Sequence, residues 1–442
     1  MGACDDTPRA PGHAMTPGAT LGYHHAMPPL DPATAAPLVA PLLRMATAPL
    51  ALASGMRDML PPRAAHRKAL ARAVLTAFRR FGYDLVVPPV FEREEVVARG
   101  LGARAGGDLV RLLDPDTGEV MVLRPDMTPQ IARIVATRYR DVPAPIRLAY
   151  EGSVIRQPRG RARRHRQVAQ AGIECVGWHG LDADVEVLTA VTDALAGVGA
   201  QDYRVELSHA GIAAAALAEV PEALRDDVAD ALSARDGTTW TKILAGHPGV
   251  AGRLDTLVSL AGDVGVLDRA SAALPGPGHA RALADLRAVA EALTDLGLGE
   301  RLLVDLGEVR GIGYYTGMQF QVLCPGVGSP VASGGRYDDL LGRYGAPRPA
   351  TGCAIDLESL EDALAAHGAE VPDPEPPRVV VAGERAHRRG RSAALRAAGS
   401  TVAELDATDV RTVLAWALAH GYDTAWVCSA AGAAEIKVAP GP

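Results

Sequence analysis

The chain has 442 residues, 48% hydrophobic and 22% charged, with a formal net charge of −7 and 4% aromatics. That length exceeds one small core and allows roughly two or three domains, and the balance is that of a soluble globular protein. The negative net charge gives no global attraction to nucleic acid, and the many arginines are a bias of composition, because Lys68, Lys242 and Lys437 are the only lysines.

Residues 1–54 mix Pro, Gly, Ala and Met without period and read as an extension outside the fold. Leu70, Val74, Phe78 and Phe81 then recur at helical spacing, with Gly82 as the stop. Leu85-Val86-Val87 before Pro88-Pro89 suits an edge strand, since proline cannot donate to a central ladder. Asp114-Pro115-Asp116-Thr117-Gly118 is a turn between apolar arms, so Leu109 to Leu123 reads as a hairpin. Strand and helix signals continue to Gly177; Leu148, Tyr150, Gly152, Val154 and Arg156 share one strand face there.

From about 182 to 297 the pattern is helical and Ala-rich, as in an inserted subdomain. Strands resume at Leu302 and run through Tyr314 to Leu323, and Ser333-Gly334-Gly335-Arg336-Tyr337-Asp338 is expected to open a helix. The first large domain spans 55–365. A proline-rich linker follows at 366–377, and 378–442 alternates strand and helix as a small α/β unit. Cys4, Cys175, Cys324, Cys353 and Cys428 have no paired spacing, which favours free thiols in a reducing compartment and offers no zinc pattern. No apolar run is long enough to span a bilayer, and a cytoplasmic protein without a membrane partner is expected.

Two segments carry the chemistry: Leu123-Arg124-Pro125-Asp126-Met127-Thr128 and Gln170-Ala171-Gly172-Ile173-Glu174. On strands, Asp126 and Thr128 would share one face and Gln170, Gly172 and Glu174 another, so that acceptors for an ammonium group converge beside a hollow at Gly172. Each pair alone has a blander reading. Asp126 and Thr128 suit a helix cap, Gln170 and Glu174 a solvated strand face, Tyr314 and Tyr315 sheet packing, and Arg310 a surface charge. The run Arg159, Arg161, Arg163, Arg164, His165, Arg166 reads first as a solvated hairpin loop and second as an anion contact.

Taken in order, these segments together with Gly55-Met56-Arg57-Asp58-Met59-Leu60-Pro61, Arg156, Val309-Arg310-Gly311-Ile312-Gly313-Tyr314-Tyr315 and Ser333 to Asp338 resemble the histidyl-tRNA synthetases. The chain looks still more like the synthetase-derived regulatory subunits of ATP phosphoribosyltransferase. The resemblance implies an α+β fold: a class II synthetase-like core with an antiparallel sheet flanked by helices, a helical insertion, and a dimer interface built partly from the first motif. It also implies that Asp126, Thr128 and Gln170 hold the α-ammonium of L-histidine. Glu174 and Tyr315, with Tyr314 beside them, would hold its imidazole, and Arg310 and Arg156 its carboxylate.

Departures from the synthetase pattern bear on function. Pro158 stands where a synthetase has glutamate, Ser359 where it has arginine, and Asp356 where it has glycine. Losing a charge-assisted contact costs roughly 1.5–3 kcal/mol and a transition-state contact about 10²–10³ in rate, which argues against adenylate formation. The C-terminal unit resembles a truncated anticodon-binding domain, so tRNA is not expected as a partner. The expectation is a non-catalytic subunit without cofactor, metal or catalytic residues. It would bind L-histidine and pair, as a homodimer within a hetero-oligomer, with a short-form ATP phosphoribosyltransferase catalytic subunit for the first step of histidine biosynthesis. An active histidyl-tRNA synthetase with a divergent ATP site, and an amino-acid-sensing or RNA-binding synthetase paralogue, stand as alternatives.

Overall fold

The apolar stripe of Leu70, Val74 and Phe78 is fully buried on α1 (Arg63–Arg80), which ends where Gly82 takes φ 82°. The computed structural model describes residues 51–101, 109–156, 165–308, 314–369 and 376–438, and the elements below belong to one unit, Ser54–Pro442. The edge strand β1 (Asp84–Leu85) precedes the two prolines. Next come β2 (Phe91–Arg93), α2 (Glu94–Leu101), and the expected hairpin of β3 (Arg111–Leu113) and β4 (Val120–Leu123), which with β2 makes a three-stranded sheet. Then follow α3 (Thr128–Arg138), β5 (Ile146–Ile155), β6 (Gln167–Val176), α4 (Leu181–Gly197) and β7 (Arg204–His209).

The helices α5 (Ala210–Ala218), α6 (Arg225–Ser233), α7 (Gly237–Ile243), α8 (Pro248–Ser259), α9 (Val266–Ala273) and α10 (Pro277–Asp295) come next, with β8 (Ala261–Gly262) before α9. The chain returns through β9 (Leu302–Asp305), β10 (Met318–Leu323), β11 (Ala332–Arg336), β12 (Ala350–Asp356) and α11 (Leu357–Ala366). The C-terminal segment holds β13 (Arg378–Gly383), α12 (Arg385–Ala397), β14 (Thr401–Leu405), α13 (Val410–Ala419), β15 (Thr424–Ser429) and β16 (Gly432–Lys437). Its sheet has the order β14-β13-β15-β16.

The nine-stranded sheet, ordered β1-β5-β6-β12-β11-β10-β7-β9-β8, is antiparallel except at β1–β5 and β7–β9. Side-chain alternation sorts its faces. Ala171, Ile173, Val205, Leu207, Phe320 and Val322 point to one side and join the core under α1, α4, α10 and α11. Their neighbours Gln170, Glu174, Glu206, Ser208, Gln319 and Gln321 point to the other. On that second face α3 packs Ile131 and Val135 against Leu148, Tyr150 and Val154. This is the α+β, antiparallel-sheet architecture expected from the sequence.

Four local expectations differ from the structure. Asp126 and Thr128 lie at the start of α3 rather than on a strand, because Asp126 Oδ1 accepts the Thr128 N–H at 3.2 Å and so ends the extended backbone. The segment from Ser333 is strand β11, since ladders from β10 and β12 flank it on both sides and the missing side chains of Gly334 and Gly335 allow those backbones to close in. The helical stretch expected from 182 contains β7, which sits inside the main sheet between β10 and β9; non-local pairing overrides its Ala-rich surroundings. Tyr314 lies in a turn between β9 and β10 and not on a strand.

Ion pairs join the two ends of the core. Arg57, in the first motif, pairs with Glu358 on α11, and the 5% exposed Arg67 on α1 pairs with Glu361, its Nη2 donating at 2.6 Å. Arg67 Nη1 also lies 3.7 Å from Glu358, so losing Glu361 removes the two charge-assisted hydrogen bonds but not every counter-charge. We predict that Glu361→Ala lowers unfolding free energy in urea by about 2 kcal/mol; a loss below about 1 kcal/mol would show the pair to be a surface contact.

Candidate functional site

The loop between β4 and α3 turns Asp126 and Thr128 toward β6. Thr128 Oγ1 donates to Glu174 Oε1 at 2.6 Å, and the Tyr150 hydroxyl reaches the same oxygen at 3.4 Å. Arg156, one residue past β5, clamps this loop: its Nε donates to the Pro125 carbonyl at 2.7 Å, and its Nη2 meets Asp126 Oδ2 at 3.1 Å and Gln170 Oε1 at 3.4 Å. Tyr314 and Tyr315 stand edge to face with ring centres 4.9 Å apart, and Tyr337 lies 5.3 Å from Tyr314.

These groups enclose a cavity of about 270 Å³, lined by Asp126, Thr128, Arg156, Gln170, Glu174, Tyr314 and Tyr315. The sequence thus placed all of these in one hollow; Arg310, expected with them, lies outside the described residues. Gly172 has a different part from the one expected. A Cβ there would come within 2.5 Å of the Tyr150 ring, so the phenol, not ligand space, occupies the gap.

Among the described residues, three buried atoms on the cavity wall have no hydrogen-bond partner: Glu174 Oε2, Gln170 Nε2 and the Tyr337 hydroxyl. Glu174 and Gln170 are each 2% exposed, and Tyr337 is 3% exposed. Buried polar groups in folded proteins are normally paired, and each orphan costs about 1–3 kcal/mol. An acceptor, a donor and a phenol left open on one small cavity make a recognition surface for a polar ligand that supplies their partners. Glu174 Oε2 and the Tyr337 hydroxyl both crowd the place where a Cβ on Gly352 would sit, so these two face one spot.

The electrostatics match. Burial pushes the Glu174 carboxyl well above the usual carboxylate range, the Thr128 hydroxyl pulls it back, and the charge on Asp126 adds to the rise. Burial likewise raises the phenols of Tyr150 and Tyr314 and the Cys353 thiol. Besides Glu174, the described lining carries the carboxylates of Asp126, Glu206, Glu308 and Asp356 against the guanidinium of Arg156. Such a wall repels a triphosphate and suits a ligand with a cationic group.

Two of the three positions where the chain departs from the synthetase pattern, Ser359 and Asp356, are among the described residues. Ser359 is buried, its hydroxyl 3.0 Å from that of Ser329, and it is not part of the wall. Asp356 caps α11, accepting from the Glu358 and Ser359 N–H groups at 3.0 and 3.2 Å. Pro158 and the arginines at 159, 161, 163 and 164 lie outside the described residues; Arg166, at the end of that run, donates its backbone N–H to the Gly55 carbonyl at 2.8 Å.

Sequence reasoning missed Tyr337, because its segment read as a helix start, and it missed the polar row on β7 and β10. The signal was present: Val205-Glu206-Leu207-Ser208 and Met318-Gln319-Phe320-Gln321-Val322 alternate strictly between apolar and polar. Among the described residues no group of His, Cys, Asp and Glu is arranged to hold a metal ion, and no helix is long and apolar enough to cross a membrane.

Comparison with known proteins places this geometry. Residues 55–360 match the family model for histidyl-tRNA synthetase. A protein of Anaeromyxobacter dehalogenans (strain 2CP-1) described as an ATP phosphoribosyltransferase regulatory subunit is 43% identical over 347 residues, 77% of this chain and 99% of that one. A protein of Moorella thermoacetica with the same description is 36% identical, over 86% of this chain and 98% of its own length. Among solved structures, an ATP phosphoribosyltransferase regulatory subunit/histidyl-tRNA synthetase from Bacillus halodurans superposes with a TM-score of 0.73 at 28% identity, covering 83% of this chain and 96% of that one. The histidyl-tRNA synthetase of Nostoc sp. PCC 7120, 20% identical with a TM-score of 0.70 over 88% of this chain and 97% of its own, shares the fold. The chain therefore belongs to the histidyl-tRNA synthetase-like family and, within it, to the ATP phosphoribosyltransferase regulatory subunits.

Proposed function

We propose that the cavity binds L-histidine. We further propose that the chain acts as a non-catalytic subunit, activating a short-form ATP phosphoribosyltransferase catalytic subunit in the first step of histidine biosynthesis and conveying histidine feedback to it. The observation that carries the ligand is the set of unpaired atoms on the wall, Glu174 Oε2 above all. An imidazole N–H satisfies that oxygen, and its protonated form also offsets the buried charge. The Tyr337 hydroxyl, facing the same spot, lies on the Glu174 side of the ring, and Tyr315 lines the cavity beside it.

Asp126 is the anion nearest the loop for the α-ammonium. Gln170, as placed, turns its amide oxygen to Arg156 and its N–H group to the cavity, so it meets the carboxylate end; turning the amide over would present it to the ammonium at the expense of the 3.4 Å contact. The activating role and the partner are supported by the descriptions of the relatives. Feedback requires that histidine favour one state of the complex, and a coupling of roughly 1–3 kcal/mol suffices.

Glu174→Gln keeps the shape and the Thr128 contact but removes the acceptor charge. Calorimetric titration is expected to show histidine affinity falling roughly 10- to 100-fold, as for a lost hydrogen bond to a charged group. Unliganded stability moves the other way. The folded protein holds the Glu174 proton more tightly than the unfolded chain, so the parent loses stability relative to the variant as pH rises from the ordinary carboxylate range through the raised value. A pH series of urea midpoints checks this sign, and a constant gap contradicts it.

Co-expression with the short catalytic subunit tests the role. Phosphoribosyl-ATP formation is expected to require this chain and to fall on adding histidine, with Glu174→Gln retaining activation while shifting the inhibition curve to higher histidine. Equal activity of the catalytic subunit alone would refute the proposal.

A further inference from the structure

We propose that Arg336 is a positioning residue for the ligand cavity: from the opposite face of the sheet it fixes both aromatic walls, Tyr315 and Tyr337. The inference rests on reading the cavity as the histidine site and adds to it the element that sets its ring pocket.

Arg336 ends β11 with its side chain on the helix-covered face, 8% exposed, bordering a second cavity of about 610 Å³ there. Three partners take its guanidinium in three directions: Asp184 Oδ2 on α4 at 3.0 Å from Nε, Asp338 Oδ1 at 3.1 Å from Nη1, and the Gly180 carbonyl at 2.7 Å from Nη2. A planar fork held at three points fixes the backbone that bears it, which an ammonium at the same place cannot do.

That backbone carries both walls. Tyr337 is the next residue, and the Arg336 carbonyl accepts the Thr316 N–H at 2.8 Å, immediately after Tyr315. Thr316 Oγ1 in turn accepts the Asp338 N–H at 2.9 Å. The strip of residues 314–317 lies on 335–338 so closely that a Cβ on Gly317 would be 2.9 Å from Arg336 Cδ, and one on Gly335 would be 3.0 Å from Tyr315 Cδ1. Successive residues therefore face opposite sides of the sheet: Tyr315 and Tyr337 the ligand cavity, Thr316 and Arg336 the second one. A change in the Arg336 anchor is passed to the ring pocket by the backbone alone.

The test uses the full chain labelled with 3-fluorotyrosine, the Tyr337 signal being assigned with Tyr337→Phe. Arg336→Lys keeps the charge and loses the fork; Thr316→Val keeps the Arg336 fork and removes the two contacts of the Thr316 hydroxyl, to the Asp338 N–H and to the Arg336 carbonyl, which join the two strips, and it serves if the first variant does not fold. In the folded variant the Tyr337 fluorine resonance is expected to move or broaden without ligand, and histidine affinity is expected to fall about tenfold, the worth of roughly one oriented hydrogen bond. An unmoved resonance, or histidine affinity within about twofold of the parent, overturns the proposal. If the parent itself does not bind histidine, the functional reading fails while the resonance still decides the role of Arg336.

Discussion

One buried carboxylate with half its hydrogen-bonding capacity met governs the architecture of the site. Glu174 is held from below by Thr128 and Tyr150 and left open above. A protein that needed only stability would replace such a group with an apolar one of similar shape, because an unpaired buried acceptor is a standing cost. The cost is sustained here by a sheet whose neighbouring strands β5 and β12 are fixed in register on β6, so that the carboxylate cannot swing out to solvent. The cavity is thus preorganised, and a ligand that supplied the missing partner would recover that cost as affinity.

The sequence made much of this legible. Alternation on β6 was enough to put Gln170 and Glu174 on one face, and the ordered motifs were enough to bring Asp126, Thr128, Arg156, Tyr314 and Tyr315 to them. The failures have different causes. β11 is a strand because β10 and β12 pair with it, and no local propensity of a Gly-Gly segment reveals those partners; β7 carries its own apolar-polar alternation, masked by the helical segments around it. Asp126 and Thr128 were placed on a strand although their types already favoured a helix start, as the structure shows. Gly172 looked like ligand space because its filler, Tyr150, comes from a different strand.

The same sheet separates two kinds of chemistry. One face carries the cavity, whose wall includes Glu206, Glu308 and Asp356, with Asp356 directly opposite Gln170 on the neighbouring strand. Carboxylates in that number disfavour a bent triphosphate, and Ser359 offers no guanidinium to draw one in.

A crystal structure determined with L-histidine and ATP both present tests this account most directly. It predicts histidine in the cavity with a ring nitrogen within hydrogen-bond reach of Glu174 Oε2 and no nucleotide joined to it. Histidyl-adenylate at that place, or histidine bound elsewhere with Glu174 Oε2 still unpaired, would contradict it.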